Sequence, residues 1–356
     1  MDMDELRERI DEVDARIVEL LNERADVVTR IGEIKRENDN AIYIPAREEA
    51  VYRHVTDLNE GPLSDTCIRA IYRELMSGCI ALEKTLRIAY LGPAGTFTHD
   101  AARSKFGESV DYVSASTLDE VFEMVESGRA EYGVVPVENS TEGGIHETLT
   151  RFLTSSLRVS AEVVREIHHA LLARCALEDV KTVYSKAPVF TQTRRWLSAN
   201  LPDAEHAYVN STSAAAELAA KEEGVAAIAR QDLAPEHGLS VLADHIEDYS
   251  HNVTRFFVLG DHVSPPTGDD KTALLCSVKD KVGALHDLLR PFKKYGINMT
   301  KIESFPSPTM AWRYYFFIDF LGHPDEEDIR QAMSEMEKEC VEFRVLGAFP
   351  RGDDAG

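Results

Sequence analysis

Asn252-Val253-Thr254-Arg255-Phe256, running on into the apolar Phe257-Val258-Leu259, decides how this chain is read. It does so together with the earlier Val135-Pro136-Val137-Glu138-Asn139-Ser140. Each stretch sits at a strand end or loop in an otherwise apolar neighbourhood. Together they supply hydroxyls, an amide, a carboxylate and one guanidinium. That set suits a small, doubly anionic substrate that must lose a hydroxyl group. Around them, strand-like runs (Tyr132 to Val135, Val180 to Tyr184, Val225 to Ala229, Phe256 to Leu259) alternate with helix-like ones (Leu118 to Ser127, Pro188 to Asn200, Ser213 to Glu223). Such alternation implies α/β sheets, and two runs of it imply two lobes with a cleft between them.

Working outward, 356 residues suggest two or three domains, because single cores stop growing at about 250–300 residues. The chain has 39 Lys and Arg against 62 Asp and Glu, a net charge of −23. Such acidity disfavours nucleic acid and anionic membrane surfaces as partners. It also means that an anionic substrate needs locally concentrated cations. The cysteines (Cys67, Cys79, Cys175, Cys276, Cys340) are scattered and never spaced as CxxC, which reads as reduced cytoplasmic thiols. The N-terminus has no apolar signal-peptide core, and no apolar run approaches a membrane span of about 20 residues. No histidine pair is spaced as HxxxH on a convincing helix, and no metal site or cofactor is expected.

The first block, residues 1–85, reads as all-helical. Leu6, Ile10, Val13, Ile17, Leu20, Val27, Ile31 and Ile34 recur at helical spacing, and no proline interrupts Asp4 to Glu37. A helix of that length is about 50 Å long, longer than a small domain is wide. It needs a partner, most simply the same helix of a second chain, so a homodimer or higher homo-oligomer is expected. A second helix starts at Pro45, and a third follows Ser64 as its cap. Residues 86–262 hold the α/β part. Asp261 to Asp270, with Pro265-Pro266-Thr267-Gly268, reads as a linker. Residues 271–350 follow with strands Thr272 to Val278, Ile297 to Ser304, Trp312 to Phe320 and Glu342 to Phe349. Helices Gly283 to Tyr295 and Asp325 to Lys338 complete an α+β, ferredoxin-like order.

Within the helical block position, not excess, gives basic residues their meaning. Arg24 and Lys35 lie about 20° apart on a helical wheel and share a face. Arg7 is roughly 100° away from Arg24 and suits the pocket of an antiparallel partner helix better than its own. Cys79 and Glu83 share a face of the third helix. With Leu6-Arg7-Glu8-Arg9-Ile10, Glu23-Arg24, Lys35 and Arg47-Glu48, this block resembles the all-helical chorismate mutases. The resemblance implies a pericyclic rearrangement of chorismate to prephenate, with no covalent catalysis. It implies Arg24 and the partner's Arg7 on the carboxylates, Lys35 on the ether oxygen, and Arg47 and Glu48 for orientation and the hydroxyl. Where many members have glutamine facing the ether oxygen, this chain has Glu83. An ionised carboxylate there repels the developing negative charge, whereas a protonated one donates to it.

The α/β block resembles prephenate dehydratase, whose fold is like that of two-lobed periplasmic binding proteins. Thr254-Arg255-Phe256 matches its Thr-Arg-Phe motif. Gly92-Pro93-Ala94-Gly95-Thr96, Glu138-Asn139-Ser140-Thr141, Gln192 and Asn210-Ser211-Thr212-Ser213 follow in the family's order. The implied reaction removes carbon dioxide and the ring hydroxyl from prephenate, giving phenylpyruvate. The resemblance implies that Thr254 donates to the leaving hydroxyl and that Arg255 binds a carboxylate. Thr96, Glu138, Asn139, Ser140, Thr141, Gln192, Ser211 and Thr212 are the implied substrate-binding residues. The proton source is Thr254 itself, Glu138 or a bound water. Ser211 is either a helix cap alone or a cap whose helix also presents amides to a carboxylate.

Gly283-Ala284-Leu285 and Asn298-Met299-Thr300-Lys301-Ile302-Glu303-Ser304 make the last block resemble the amino-acid-binding ACT domains. The implied effector is phenylalanine, contacted by Gly283, Ala284, Leu285, Asn298, Met299, Glu303 and Ser304. Gly283 would let it approach the backbone at a helix N-terminus. Phe305 stands where that family usually has arginine. As a whole the chain resembles the bifunctional mutase–dehydratases. The alternatives are an arogenate dehydratase, which shares the motifs, and a non-catalytic amino-acid sensor.

Overall fold

A computed structural model describes residues 2–37, 43–307, 310 and 313–352. Trp312, placed above at the start of a strand, lies outside the described residues. The chain forms two compact units, Met1–Arg87 with Lys105–Asp111, and Ile88–Ser104 with Tyr112–Gly356.

The first unit is built on three helices, α1 (Met3–Glu37), α2 (Pro45–Asp57) and α3 (Asp65–Glu83). Pro45 opens α2, where a missing N–H costs nothing. Ser64 caps α3, its hydroxyl accepting from the Cys67 N–H at 3.2 Å. At 35 residues α1 is about 52 Å long, and Gly32 is its one buried residue. Leu6, Ile10, Val13, Ile17 and Leu20 are all exposed, so the apolar stripe read from the sequence has no cover among the described residues. Gly32 marks where α1 and α3 nearly touch, since a β-carbon there would lie 2.7 Å from the Glu83 Cγ.

The second unit contains three sheets. One is six-stranded, with the order Asp111–Ala115, Arg87–Leu91, Tyr132–Asn139, Val253–Gly260, Arg158–Glu166, and the short Gly143–Gly144 on the third of these. Another runs Ser240–Ala243, Ala170–Ala173, Val225–Ala229, Thr182–Ser185, Glu205–Tyr208. These are the two lobes. The predicted helix Pro188 to Asn200 is two helices, Ala187–Gln192 and Arg194–Asn200, broken at Thr193. The third sheet, Met299–Pro306, Tyr314–Leu321, Asp270–Val278, Cys340–Pro350, carries helices Ala284–Lys294 and Glu327–Glu339.

This third sheet shares a core with the first lobe. Phe305, Phe317, Leu346 and Phe349 pack in one cluster with Phe122, Phe152 and Phe257. Phe305 is 1% exposed and stacks on Tyr315 with ring centroids 6.0 Å apart. It fills space in the core and does not sit as an unmet substitute beside a ligand. An arginine at that position would bury a guanidinium among apolar side chains and cost stability.

Candidate active sites

In the helical unit, Arg24, Lys35, Arg47, Glu48, Cys79 and Glu83 line one cavity of about 220 Å³, with Tyr43, Val51 and Ile80. A small cavity with three cations and an apolar floor fits a compact dicarboxylate. The Arg24 guanidinium donates to the Cys79 sulfur at 3.0 Å. Lys35 Nζ stands 3.2 Å from Glu83 Oε2. Glu83 is buried, and its ion pair holds the lysine at one end of the cavity. Glu48 is anchored through one oxygen, Oε2, which accepts from the Tyr43 hydroxyl at 2.8 Å and pairs with Lys105 at 2.5 Å. Arg7 lies elsewhere, exposed near the start of α1 and paired with Asp4 at 3.2 Å.

In the second unit a cavity of about 520 Å³ is lined by residues of both lobes, among them Thr96, Thr98, Asn139, Glu142, His169, Lys186, Gln192, Ser211, Thr212, Thr254 and Phe256. Thr254 sits on the strand Val253–Gly260, beside Asn139 on Tyr132–Asn139. Asn139 Nδ2 donates to Thr254 Oγ1 at 2.8 Å and to Asn252 Oδ1 at 2.9 Å. Its Oδ1 accepts from the Thr141 N–H and hydroxyl, at 2.9 and 2.5 Å. Those donors fix the amide's orientation. Thr254 Oγ1 therefore receives a hydrogen bond, and its own proton is free to be given away. The network continues. Asn252 donates to Gln192 Oε1 at 3.2 Å, which lies 2.8 Å from His169 Nε2.

Strand alternation splits the Thr-Arg-Phe stretch. Successive side chains point to opposite faces, so Thr254 and Phe256 reach the cavity and Arg255 points away from it. Arg255 bonds instead to Glu162 at 2.6 Å and to Asp319 of the third sheet. Burial works against the charge on Arg255, but Asp319 and Glu162 outweigh it and raise its pKa further. Glu162 is pushed up by burial, yet Arg255 and Lys271 pull it below the ordinary carboxylate value. Asp319 is fully buried, and its desolvation raises it in spite of Arg255. Glu138 shares the fate of Arg255, pairing with Lys301 at 3.0 Å on the same side. Neither residue lines the cavity, which corrects the reading of Arg255 as a substrate-carboxylate ligand and of Glu138 as a proton source.

Ser140 and Thr141 act on the loop. The Ser140 hydroxyl donates to His251 O and accepts from the Val253 N–H, both at 2.9 Å. Ser211 caps the helix Thr212–Lys221, accepting from the Ala214 N–H at 3.0 Å. This helix and Phe97–Phe106 are ten residues each, and both begin at the cavity wall. Their N-terminal amides and Lys186 put positive potential at this wall. Gly95 makes this packing feasible. Its φ is +78°, and a β-carbon would fall 2.6 Å from the Leu233 side chain.

Comparison with known proteins gives the family. Family models match as Chorismate mutase type II over residues 6–84, Prephenate dehydratase over 88–264 and ACT domain over 272–337. A bifunctional chorismate mutase/prephenate dehydratase of Aquifex aeolicus is 43% identical over 98% of both chains. The chain belongs to this bifunctional family. A member from Stutzerimonas stutzeri is 42% identical over 97% of each chain. Among solved structures, the prephenate dehydratase of Arthrobacter aurescens in complex with L-Phe superposes with a TM-score of 0.69 at 31% identity, covering 75% of this chain and 90% of that one.

The cavity of the second unit contains residues that no motif in the sequence marks. His169 is 1% exposed, and burial pushes its pKa down, against the charged form of the ring. Its Nε2 faces a carbonyl and carries the proton. Its Nδ1 is a buried acceptor with no protein partner among the described residues. A third cavity of about 620 Å³ in the ACT part is lined by Gly283, Ala284 and Leu285, with Arg313, Tyr314 and Phe316. Asn298, Met299, Glu303 and Ser304 are not in its wall. Met299 packs in the domain's core, and Glu303 pairs with Lys301 at 3.0 Å. Arg313 lines it and has a buried Nη2 that meets no protein partner among the described residues. Gly283 holds φ at +80° with open space where a β-carbon would stand. No helix among the described residues is long and apolar enough to cross a membrane.

Proposed function

We propose that the chain converts chorismate to prephenate in the helical cavity and prephenate to phenylpyruvate in the two-lobed cavity, under control of phenylalanine. The observation that carries the reading is the Asn139–Thr254 bond, which leaves a threonine proton to donate inside a cavity with helix N-termini and a lysine for carboxylates. We assign the mutase to residues 1–85, the dehydratase to 86–262 and the regulatory domain to 271–350.

In the mutase, Arg24 and Arg47 clamp the carboxylates, Lys35 meets the ether oxygen, and Glu48 takes the hydroxyl. Chemistry is by positioning and charge stabilisation alone. Arg7 enters from a second chain, whose α1 also covers the exposed apolar stripe, so the enzyme works as a homodimer or higher homo-oligomer in the cytoplasm. In the dehydratase, Lys186 and the two helix N-termini hold the carboxylates, Thr254 donates to the departing hydroxyl, and Phe256 supports the ring. Loss of carbon dioxide supplies the electrons that expel the hydroxyl, and aromatisation drives the step.

Phenylalanine binds at Gly283–Leu285 with its carboxylate toward Arg313. Arg255 and Glu138 carry the signal, because each neighbours a cavity residue, Thr254 or Asn139, while bonded to the regulatory sheet through Asp319 or Lys301. Turnover of chorismate by the purified protein tests the assignment. Phenylpyruvate as the end product supports it. Accumulation of prephenate alone removes the dehydratase, and unchanged chorismate removes both.

A further inference from the structure

The dehydratase chain passes between its lobes twice. It leaves the strand Arg158–Glu166 for Ala170–Ala173, and returns after Ser240–Ala243 to Val253–Gly260. The two crossovers are bonded together, with the Ile246 N–H donating to His169 O at 2.9 Å and the Ile167 N–H to Asn252 O at 2.7 Å. On this double crossing stand His168, His245 and Glu247, whose candidate ligand atoms all lie within 4.8 Å of one another. We propose that His168 Nδ1, His245 Nδ1 and Glu247 Oε1 bind a divalent first-row cation of the zinc class, which clamps the two crossovers.

The donor set is the first reason. Two imidazoles and a carboxylate, with one position left to solvent, suit zinc and its neighbours better than calcium or magnesium. Spacing is the second. Ligand atoms at about 2.0–2.2 Å from a tetrahedral ion lie roughly 3.3 Å apart. Here His168 Nδ1 and His245 Nδ1 stand 2.8 and 3.5 Å from the shared Glu247 oxygen. The outer shell is the third. His168 Nε2 is 3.2 Å from Glu166 and His245 Nε2 is 3.6 Å from Asp244, so each imidazole has a carboxylate behind it. That arrangement fixes ring orientation and raises ligand basicity. Glu247 is fixed too, its Oε2 accepting from the His169 N–H at 2.9 Å.

The backbone gives a further reason. His245 has φ +52°, uncommon for a residue with a β-carbon, and the ring so presented stands 4.2 Å from that of His168. Glu247 is nearly covered, whereas both histidines are open to solvent, which provides an entry path. The expectation of no metal site rested on local spacing, and His168 and Glu247 are 79 residues apart in sequence. A bound ion would restrain the lobes at their crossing, one residue from His169 in the dehydratase wall.

The test is direct binding to the chelator-treated full-length protein, with no reliance on catalysis, so it fails or succeeds independently of the dehydratase reading. ZnCl₂ is titrated by calorimetry and CoCl₂ by absorption spectroscopy. The expected result is one ion per chain, with a four- or five-coordinate cobalt spectrum lacking thiolate charge-transfer bands. His168→Ala and His245→Asn should each weaken binding at least about 100-fold. Asparagine tolerates the left-handed backbone and keeps the fold at that exposed position. Glu166→Gln should weaken it about 10-fold through the outer shell. Thermal unfolding of the metal-free variants checks that each is folded. No stoichiometric binding, thiolate bands from the cysteines, or equal affinity in His245→Asn would each overturn the proposal.

Discussion

Replacing Thr254 by valine keeps the side-chain shape and removes one hydroxyl. In the native site Oγ1 accepts from Asn139 at 2.8 Å, which turns its proton toward the cavity. Losing one preorganised donor to a leaving or charged oxygen costs about 10²–10³ in turnover, or about 2.7–4 kcal/mol. The fold should be far less affected. Asn139 Nδ2 keeps its bond to Asn252 at 2.9 Å, and one hydrogen loses its partner. Beside a cavity that water enters, that loss lies at the low end of the roughly 1–3 kcal/mol for an unmet buried donor. Thr254→Val should therefore be folded, should consume chorismate at the native rate, and should form phenylpyruvate from prephenate at least about 100-fold slower. Thr254→Ser, which restores the donor, should recover most of the rate. Phenylpyruvate formation is followed directly, with chorismate consumption as the internal control. A Thr254→Val enzyme within a few-fold of native dehydratase turnover would refute the reasoning.

Arg255→Gln should act on stability before substrate affinity, because it leaves the buried Glu162 and Asp319 short of a cation, a loss of about 3–5 kcal/mol for a broken buried pair. Glu162 has a depressed folded pKa, so its contribution is present above pH 4.5 and is lost as pH falls below it. The acid limb of the unfolding curve should be shallower in the variant, and a raised KM with native stability would return Arg255 to the substrate. Glu83→Gln should raise mutase turnover at neutral pH by about 10-fold, since it frees Lys35 and replaces a repelling carboxylate with a donor; unchanged kinetics from pH 5 to 8 would make Glu83 a bystander. Arg7→Ala and Lys35→Ala should each be nearly inactive as mutases, and mixed heterodimers should regain activity at one site in two. Heterodimers verified by mass and still inactive would place Arg7 in its own chain's site.

The elements were largely legible, because their signals are local. Proline at the start of α2, the Ser64 cap and the strand Val225–Ala229 follow from residues within a turn of the feature. Helical spacing alone puts Arg24 with Lys35 and Cys79 with Glu83, while the meeting of these faces with Arg47 and Glu48 in one cavity is what the resemblance implies. The dehydratase site was harder. Thr254-Arg255-Phe256 was read as one functional unit, but period-two alternation gives its middle residue to the opposite face and to a strand 64 residues away. His169 carried no motif, although an adjacent His168-His169 pair between two apolar strands was a usable signal. Lys186 belongs to no motif that marks it for the cavity. Phe305 was judged by the arginine it lacks, and its partners in the core come from distant segments that one sequence does not pair.

If one chain holds two independent sites, one for each reaction, Lys35→Ala separates them. The variant is supplied with chorismate in one experiment and with prephenate in the other, and phenylpyruvate is measured in both. Almost none is expected from chorismate, and the native rate from prephenate. Native output from chorismate, or loss of output from both, would contradict the two-site reading.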